Sequence, residues 1–213
     1  MDDETVLAGG MMAQAAACNK TVTLMTLTQG ERGNDDKKVD NNLPAIRKAE
    51  LAAALDLLGV ENLIHLDYGD DTLARNKTKL KTDIENTIKN VKPDLIVTFD
   101  LNGWYGHKDH IACAEAVTDV VKNSFPEIDL WYAMRSEAIN RAARVMSRLR
   151  GAQLSPRTKP AAKVFIGSKL TSKINAVYCY QSQMSALRPG ITVGPIPMWF
   201  FLIAQPYEYI IEA

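Results

Sequence analysis

The sequence predicts an α/β protein, and three observations carry that expectation. Apolar, β-branched runs of strand length alternate with longer stretches whose apolar residues return at helical spacing. Strands and helices alternating at this length imply βαβ units, hence a Rossmann-like, three-layer fold with a mostly parallel sheet. A chain of 213 residues can also fill one domain and bury a full core without staples. Residues 1–213 read as a single domain, with an α/β sheet core over 1–135 and a smaller C-terminal appendage over 136–213.

The elements follow in order. Val6 to Asn19, rich in Ala and Met with the pair Gly9-Gly10, reads as a helix lying close on a sheet. Thr21 to Thr28 (TVTLMTLT) is a strand, and a polar, charged loop runs from Gln29 to Asn42. Leu43 to Leu58 carries apolar positions at helical spacing, and Gly59 is placed as its C-cap. Glu61 to Leu66 is a short strand, and Thr78 to Val91 an amphipathic helix stopped near Pro93. Asp94 to Asp100 reads as a buried strand, followed by a loop with Gly103 and Gly106 and a helix from His110 to Ser124. Leu130 to Met134 is another strand. Ser168 to Gln183 looks helical, and Ile191 to Ile211 is a tail rich in proline and aromatic residues.

Composition excludes more than it selects. The formal net charge is zero, so bulk electrostatics favours neither nucleic acid nor a membrane surface. No apolar run approaches the roughly 20 residues of a membrane helix, so the chain shows no membrane segment, and it shows no signal peptide. Cys18, Cys113 and Cys179 are odd in number and widely spaced, which argues against a disulfide framework. They are expected to be buried apolar side chains in a reducing compartment, and the location expected is cytoplasmic. Between Arg135 and Lys163 eight basic residues face one acidic residue, Glu137. Such a run is usually a solvated face. It would also suit an anionic part of a substrate or membrane surface.

The densest chemistry lies in Gly106-His107-Lys108-Asp109-His110. Two of the chain's three histidines sit three residues apart there, with a carboxylate between them. They follow a strand and open a helix, the place where α/β proteins gather reactive groups. At i and i+3 the two rings lie on neighbouring positions of one helical face. They could share a metal, or one could bind while the other acts on substrate. Asp109 could orient an imidazole through its Nδ1–H. The plainer reading is a solvated helix start with Asp109 near the positive end of the dipole. Asp2-Asp3-Glu4 ahead of Gly9-Gly10 is weaker alone, since acidic residues before a helix usually serve its cap.

These stretches in order resemble one family. Asp2-Asp3-Glu4-x4-Gly9-Gly10 is followed by Thr26-Leu27-Thr28-Gln29-Gly30-Glu31 and by Arg47-x-x-Glu50-Leu51 with Leu58-Gly59-Val60. Gly106-His107-x-Asp109-His110 and the late Lys173 with Gln181-Ser182-Gln183 complete the set. Together they are similar to the LmbE-like (PIG-L-like) de-N-acetylases, zinc hydrolases that remove acetyl from N-acetylglucosamine-type amides. The resemblance covers residues 2 to 185. One departure stands out. The family's acidic element reads His-Pro-Asp-Asp-Glu after an apolar strand, and here Met1 occupies the proline position. We read the chain as a late start within that pattern. The alternative is a protein that kept the fold and lost its metal site.

The resemblance implies roles. Asp3 and His110 would be ligands of Zn2+ or another divalent metal, and a third family ligand has no counterpart. Asp2 would be the general base towards metal-bound water. His107, oriented by Asp109, would stabilise the oxyanion or protonate the leaving amine. Arg47 and Asp70 match positions that look like sugar-hydroxyl binders, although a helix-surface arginine beside Glu50 and a turn aspartate are the plainer readings. His65, inside a strand, reads as a sheet-face or core histidine. Asp100, at the exit of the strand leading to His107, is the better-placed residue to replace the lost ligand, although a loop-capping carboxylate is its plainer reading. The chemistry is coherent, because an amide is a poor electrophile. A Lewis acid polarises it, a carboxylate deprotonates the water, and an imidazolium meets the developing charge.

The expected function is removal of an acetyl group from a small N-acetylated amino sugar or glycoconjugate. A catalytically inactive sugar-binding or regulatory protein of the same fold is the second reading. Nucleotide-dependent chemistry is disfavoured, since no G-x-G-x-x-G turn or P-loop is present. Met198-Trp199-Phe200-Phe201 would serve equally for burial in the monomer or for a homo-oligomer.

Overall fold

Apolar residues at helical spacing decide where each helix buries itself. The computed structural model describes residues 1–32, 42–137, 159–183, 192–193, 196–197 and 204–213. Most of the Gln29–Asn42 loop, the greater part of the basic segment and Met198-Trp199-Phe200-Phe201 lie outside the described residues. The described chain forms two compact units: Met1–Thr72 with Phe165–Tyr207, and Leu73–Val164 with Glu208–Ala213.

The first unit begins with α1 (Asp3–Ala17), β1 (Thr23–Thr26), α2 (Leu43–Leu58) and β2 (Asn62–His65). The strands pair in parallel from Thr23↔Asn62 to Thr26↔His65. α2 turns Leu51, Ala54, Leu55 and Leu58 into a core shared with Ala13 of α1 and with Ala176 and Tyr180. It ends on Gly59 in the left-handed region, as its sequence predicts. A later helix of this unit, numbered α6 below (Leu170–Tyr178), packs on both α1 and α2. α1 starts earlier than its apolar pattern suggested, because Asp3, Glu4 and Thr5 already lie in its first turn. Its Gly10 is a close-approach position: a Cβ there would sit 2.3 Å from Ile166 Cδ1.

The second unit opens with a 3-10 turn, Leu73–Arg75, and continues with α3 (Lys77–Val91) and β3 (Leu95–Phe99). α4 (Gly103–Gly106), α5 (Lys108–Ser124) and β4 (Asp129–Met134) follow. α3 buries Leu80, Ile84 and Ile88, one residue per turn, and α5 buries Ala112, Ala116, Val117, Val120 and Val121. Lys77–Glu115 and Lys81–Asp119 bridge the two helices in matching order, so α3 and α5 run parallel. All four side chains are well exposed, and such pairs contribute little stability. The remaining elements are β5 (Ala162–Phe165), α6 as given, β6 (Thr192–Val193), β7 (Ile196–Pro197) and β8 (Tyr207–Glu212).

The structure corrects the expected sheet. β3 and β4 pair in parallel, but β4 pairs antiparallel with β8, from Trp131↔Glu212 to Met134↔Tyr209. The four-stranded order is β3-β4-β8-β5, and β6 and β7 form a small antiparallel ribbon. The sheet is therefore mixed, and a mostly parallel, Rossmann-like three-layer reading does not hold. The α/β class does. The cause lies in the tail, whose alternation buries Glu208 and Ile210 on one face of β8. An antiparallel neighbour needs no crossover helix, so the alternation of strands and helices gives no sign of it.

The cysteines are free among the described residues, but the expected full burial is not met: Cys18 is exposed after the end of α1, and Cys113 and Cys179 are half-buried. Burial does push the Cys113 thiol up to about 11, an inert, protonated group. Among the described residues no helix is long and apolar enough to cross a membrane.

Candidate functional site

The candidate residues divide between the units. Asp2, Asp3, Arg47 and Asp70 belong to the first, and His107, Asp109 and His110 to the second.

Asp2 is the N-cap of α1, with φ 113° and ψ −38°, and its side chain makes no capping hydrogen bond. That is unusual. An aspartate at this position ordinarily turns its carboxylate onto the first helical amides. The backbone is held instead by its neighbours. The Asp2 carbonyl accepts the Thr5 and Val6 N–H groups at 3.0 Å each. The Asp2 N–H donates to both Glu4 carboxylate oxygens, at 3.1 and 2.9 Å. The side chain lies 3.7 Å from the Arg47 guanidinium (Nη2 to Oδ1). Burial, followed by the charge of Asp3, pushes the Asp2 carboxyl up to about 8, while the α-amino group and Arg47 pull the other way.

Arg47 departs from the plainer reading of a helix-surface arginine. It is buried, and Glu50 is directed elsewhere. Its Nη1 donates to the Gly30 carbonyl at 3.0 Å, and Nη2 donates to the Met1 carbonyl. Gly30, at φ 71°, has no room for a side chain, since a Cβ would stand 2.7 Å from the guanidinium carbon. The Thr-x-Thr-x-Gly-Glu stretch thus keeps its glycine to admit Arg47. Asp70 is braced in its loop, where Oδ2 accepts the Arg32 N–H at 2.9 Å and its own N–H donates to Glu31 Oε1 at 2.6 Å.

In the second unit, His107 is the N-cap of α5, and its Nδ1 accepts the Asp109 N–H at 3.2 Å. The proton of a neutral His107 ring therefore sits on Nε2. Asp109 is buried, and its Oδ1 accepts the Leu73 N–H at 3.2 Å, tying the preceding 3-10 turn to α5. His110 lies one turn into α5 with its ring centroid 4.7 Å from that of His107. Its ring stacks on Phe99 at 4.0 Å, the two planes nearly parallel at 2°, and on Trp104 at 6.3 Å. Arg135 covers the Trp104 ring at 5.4 Å from the centroid.

Asp100 caps the loop, as the plainer reading held: its Oδ1 accepts the Trp104 N–H at 2.6 Å. Trp104 takes φ 61° and ψ −71°, a strained conformation for a non-glycine residue. His65 pairs across the sheet, its Nδ1 lying 2.5 Å from the Thr26 hydroxyl. Burial, followed by the charge of Lys48, holds it below the ordinary imidazole value. Among the described residues no three His, Cys, Asp or Glu side chains form a group that could hold a metal ion.

Sequence reading passed over Glu4 as a separate actor and missed Tyr180 altogether. Tyr180 Oη donates to Glu4 Oε1 at 2.5 Å across 176 positions. Nothing local marks a tyrosine for such a partner.

The comparisons join these stretches to known proteins. The model of the family described as PIG-L, GlcNAc-PI de-N-acetylase, matches residues 1–121, and the chain belongs to that family. A 1D-myo-inositol 2-acetamido-2-deoxy-alpha-D-glucopyranoside deacetylase of Segniliparus rotundus is 32% identical over 159 residues, covering 57% of this chain and 47% of the relative. The chain spans about half the length of the curated relatives it matches first. The N,N'-diacetylchitobiose deacetylase from Pyrococcus horikoshii superposes with TM-score 0.68 at 19% identity, over 100% of this chain and 80% of that one. A 4-carboxy-2-hydroxymuconate hydratase from Pseudomonas putida reaches TM-score 0.67 at 14% identity, over 99% of this chain and 91% of that one. Likeness at such identities shows the fold alone, and a fold shared by a deacetylase and a hydratase leaves the chemistry to particular residues.

Proposed function

We propose that the protein hydrolyses the acetamide of a small N-acetylated amino sugar or glycoconjugate, releasing acetate and a free amine. The observation that carries this reading is Asp2: a helix-capping carboxylate not spent on its cap, raised to about 8, beside the buried Arg47. A base that works near neutral pH needs such a value. Family membership supports the reaction class.

Asp2 takes the proton of the attacking water. His107, whose neutral ring carries its proton on Nε2, donates from there to the oxyanion, and the proton that Asp2 took from the water passes to the leaving amine. Asp109 sets that ring by its backbone N–H. Arg47 and Asp70 meet sugar hydroxyls. Zn2+ or another divalent ion is the cofactor the resemblance implies, with Asp3 and His110 as donors. Zinc is held by three or four protein donors. Two fall short of that number. The domain is read as one de-N-acetylase-like domain over 1–213, cytoplasmic, acting on small molecules rather than nucleic acid, with self-association left to its aromatic tail.

One observation bears on a second reading, a sugar-binding protein without turnover: among the described residues no three His, Cys, Asp or Glu side chains form a group that could hold a metal ion. Incubation with N-acetylglucosaminyl substrates, with and without added Zn2+, decides between them. Acetate released in step with new primary amine, and abolished in Asp2→Asn, is the expected result. Saturable binding of the acetamido sugar with no acetate would replace the first reading by the second.

A further inference from the structure

We propose that Glu4 and Tyr180 are the positioning pair for the Asp2 carboxylate, holding its backbone in place so that the side chain serves the reaction instead of the helix. The inference rests on the proposed acetamide hydrolysis.

Asp2 sits at positive φ, where a residue with a Cβ does not stay unless its surroundings hold it. Glu4 does the holding, accepting the Asp2 N–H with both carboxylate oxygens. In a capping box the cap side chain and a glutamate exchange hydrogen bonds reciprocally. Here only the glutamate half is made, and the Asp2 side chain contributes no capping bond. The geometry separates two jobs that one aspartate usually combines.

Glu4 would drift on a helix start if it were held only by Asp2. It is pinned from the core. Tyr180 Oη donates to its Oε1 at 2.5 Å, and Thr5 Oγ1 donates to the same oxygen at 3.2 Å. Thr5 and Tyr180 are each 0% exposed. Tyr180 packs with Leu51, Ala54, Leu55 and Leu58 of α2, so the anchor belongs to the buried core of its unit. Burial, followed by the Glu4 charge, raises the Tyr180 hydroxyl far above its ordinary value, so it remains a donor at every working pH. The charged groups around Asp2 are Asp3, Glu4, Arg47 and the α-amino group. Of these Glu4 alone is shown bonded to the Asp2 N–H. A base held to a fraction of an ångström by a second layer of hydrogen bonds is what efficient proton transfer requires.

The test is kinetic and structural together. Tyr180→Phe deletes one hydroxyl and keeps the packed ring. Glu4→Ala deletes the clamp, and Glu4→Gln restores an acceptor of the same reach. In the acetate-release assay, Tyr180→Phe and Glu4→Ala are expected to lose about 10- to 100-fold in kcat, with KM little changed and part of the loss recovered in Glu4→Gln. An unchanged kcat in Tyr180→Phe, or equal losses in Glu4→Ala and Glu4→Gln, would overturn the pair's role. Should the parent protein release no acetate, the hydrolase reading fails by itself, and amide hydrogen exchange still decides the geometry. The Asp2 N–H is expected to be protected in the parent and to exchange at least tenfold faster in Tyr180→Phe at equal global stability. Equal exchange in both proteins overturns the inference.

Discussion

Ser182 gives both of its donors to one carboxylate: its N–H reaches Glu50 Oε1 at 2.7 Å, and its hydroxyl reaches Oε2 at 2.7 Å. The pair joins α2 to the 3-10 turn Gln181–Gln183, which follows Tyr180 directly. Hydrogen bonds to a charged acceptor contribute about 1.5–3 kcal/mol each. Glu50→Ala is therefore expected to lower stability by about 3 kcal/mol, and Ser182→Ala by about half of that, both read from urea unfolding. Losses under 0.5 kcal/mol for both would show that the pair is incidental.

Arg47 carries a structural load besides any contact with substrate. Its two terminal nitrogens satisfy carbonyls at Gly30 and Met1, a span that a lysine ammonium cannot reproduce. Arg47→Lys is expected to cost about 2–3 kcal/mol, measured as a shifted urea midpoint at unchanged slope. A midpoint equal to the parent's would show that Arg47 carries no structural load.

The double glycine of α1 is asymmetric. Gly10→Ala would drive a methyl group into Ile166, which is fully buried, and overpacking of this kind costs about 1–3 kcal/mol. Gly9→Ala meets Thr5 Cγ2 at 3.3 Å, and the gain in helix propensity offsets that contact. Thermal melts of the two variants should differ clearly, with Gly10→Ala the lower. Matching melting temperatures would contradict the packing.

His65 provides a pH signature. Its folded value lies below the ordinary imidazole value of 6.5, burial and Lys48 outweighing Asp67. A depressed histidine binds fewer protons folded than unfolded. Its contribution is present above 6.5 and is lost as pH falls through the folded value. Of the histidine ring protons followed by NMR, those of His65 should titrate below pH 6.5. His65→Gln should flatten the acid side of the stability curve. Titration at or above 6.5 would remove the basis for this expectation.

How much of this was legible in advance varies with range. α2 was readable to its terminal residues, because apolar spacing, Pro44 and the Gly59 C-cap all act within a few positions. α3, α5 and the parallel pairs β1–β2 and β3–β4 follow from the same local patterns. β8 was not legible: its antiparallel pairing with β4 joins Met134 to Tyr209 and needs no connecting pattern. In the candidate site the residue types were legible and their attachments were not. Asp2, Arg47 and Glu50 stand in recognisable stretches, yet their partners Glu4, Gly30 and Ser182 had to be seen in space.

By itself the sequence determined the α/β class, the helix α2 with its Gly59 cap, and the family, since each rests on short-range spacing or on stretches quoted in order. Tertiary structure decided the mixed sheet, the burial of Arg47 and the tie from Tyr180 to Glu4. Those depend on which distant segments come into contact, and hydrogen-bond complementarity across 176 positions leaves no local trace in the chain.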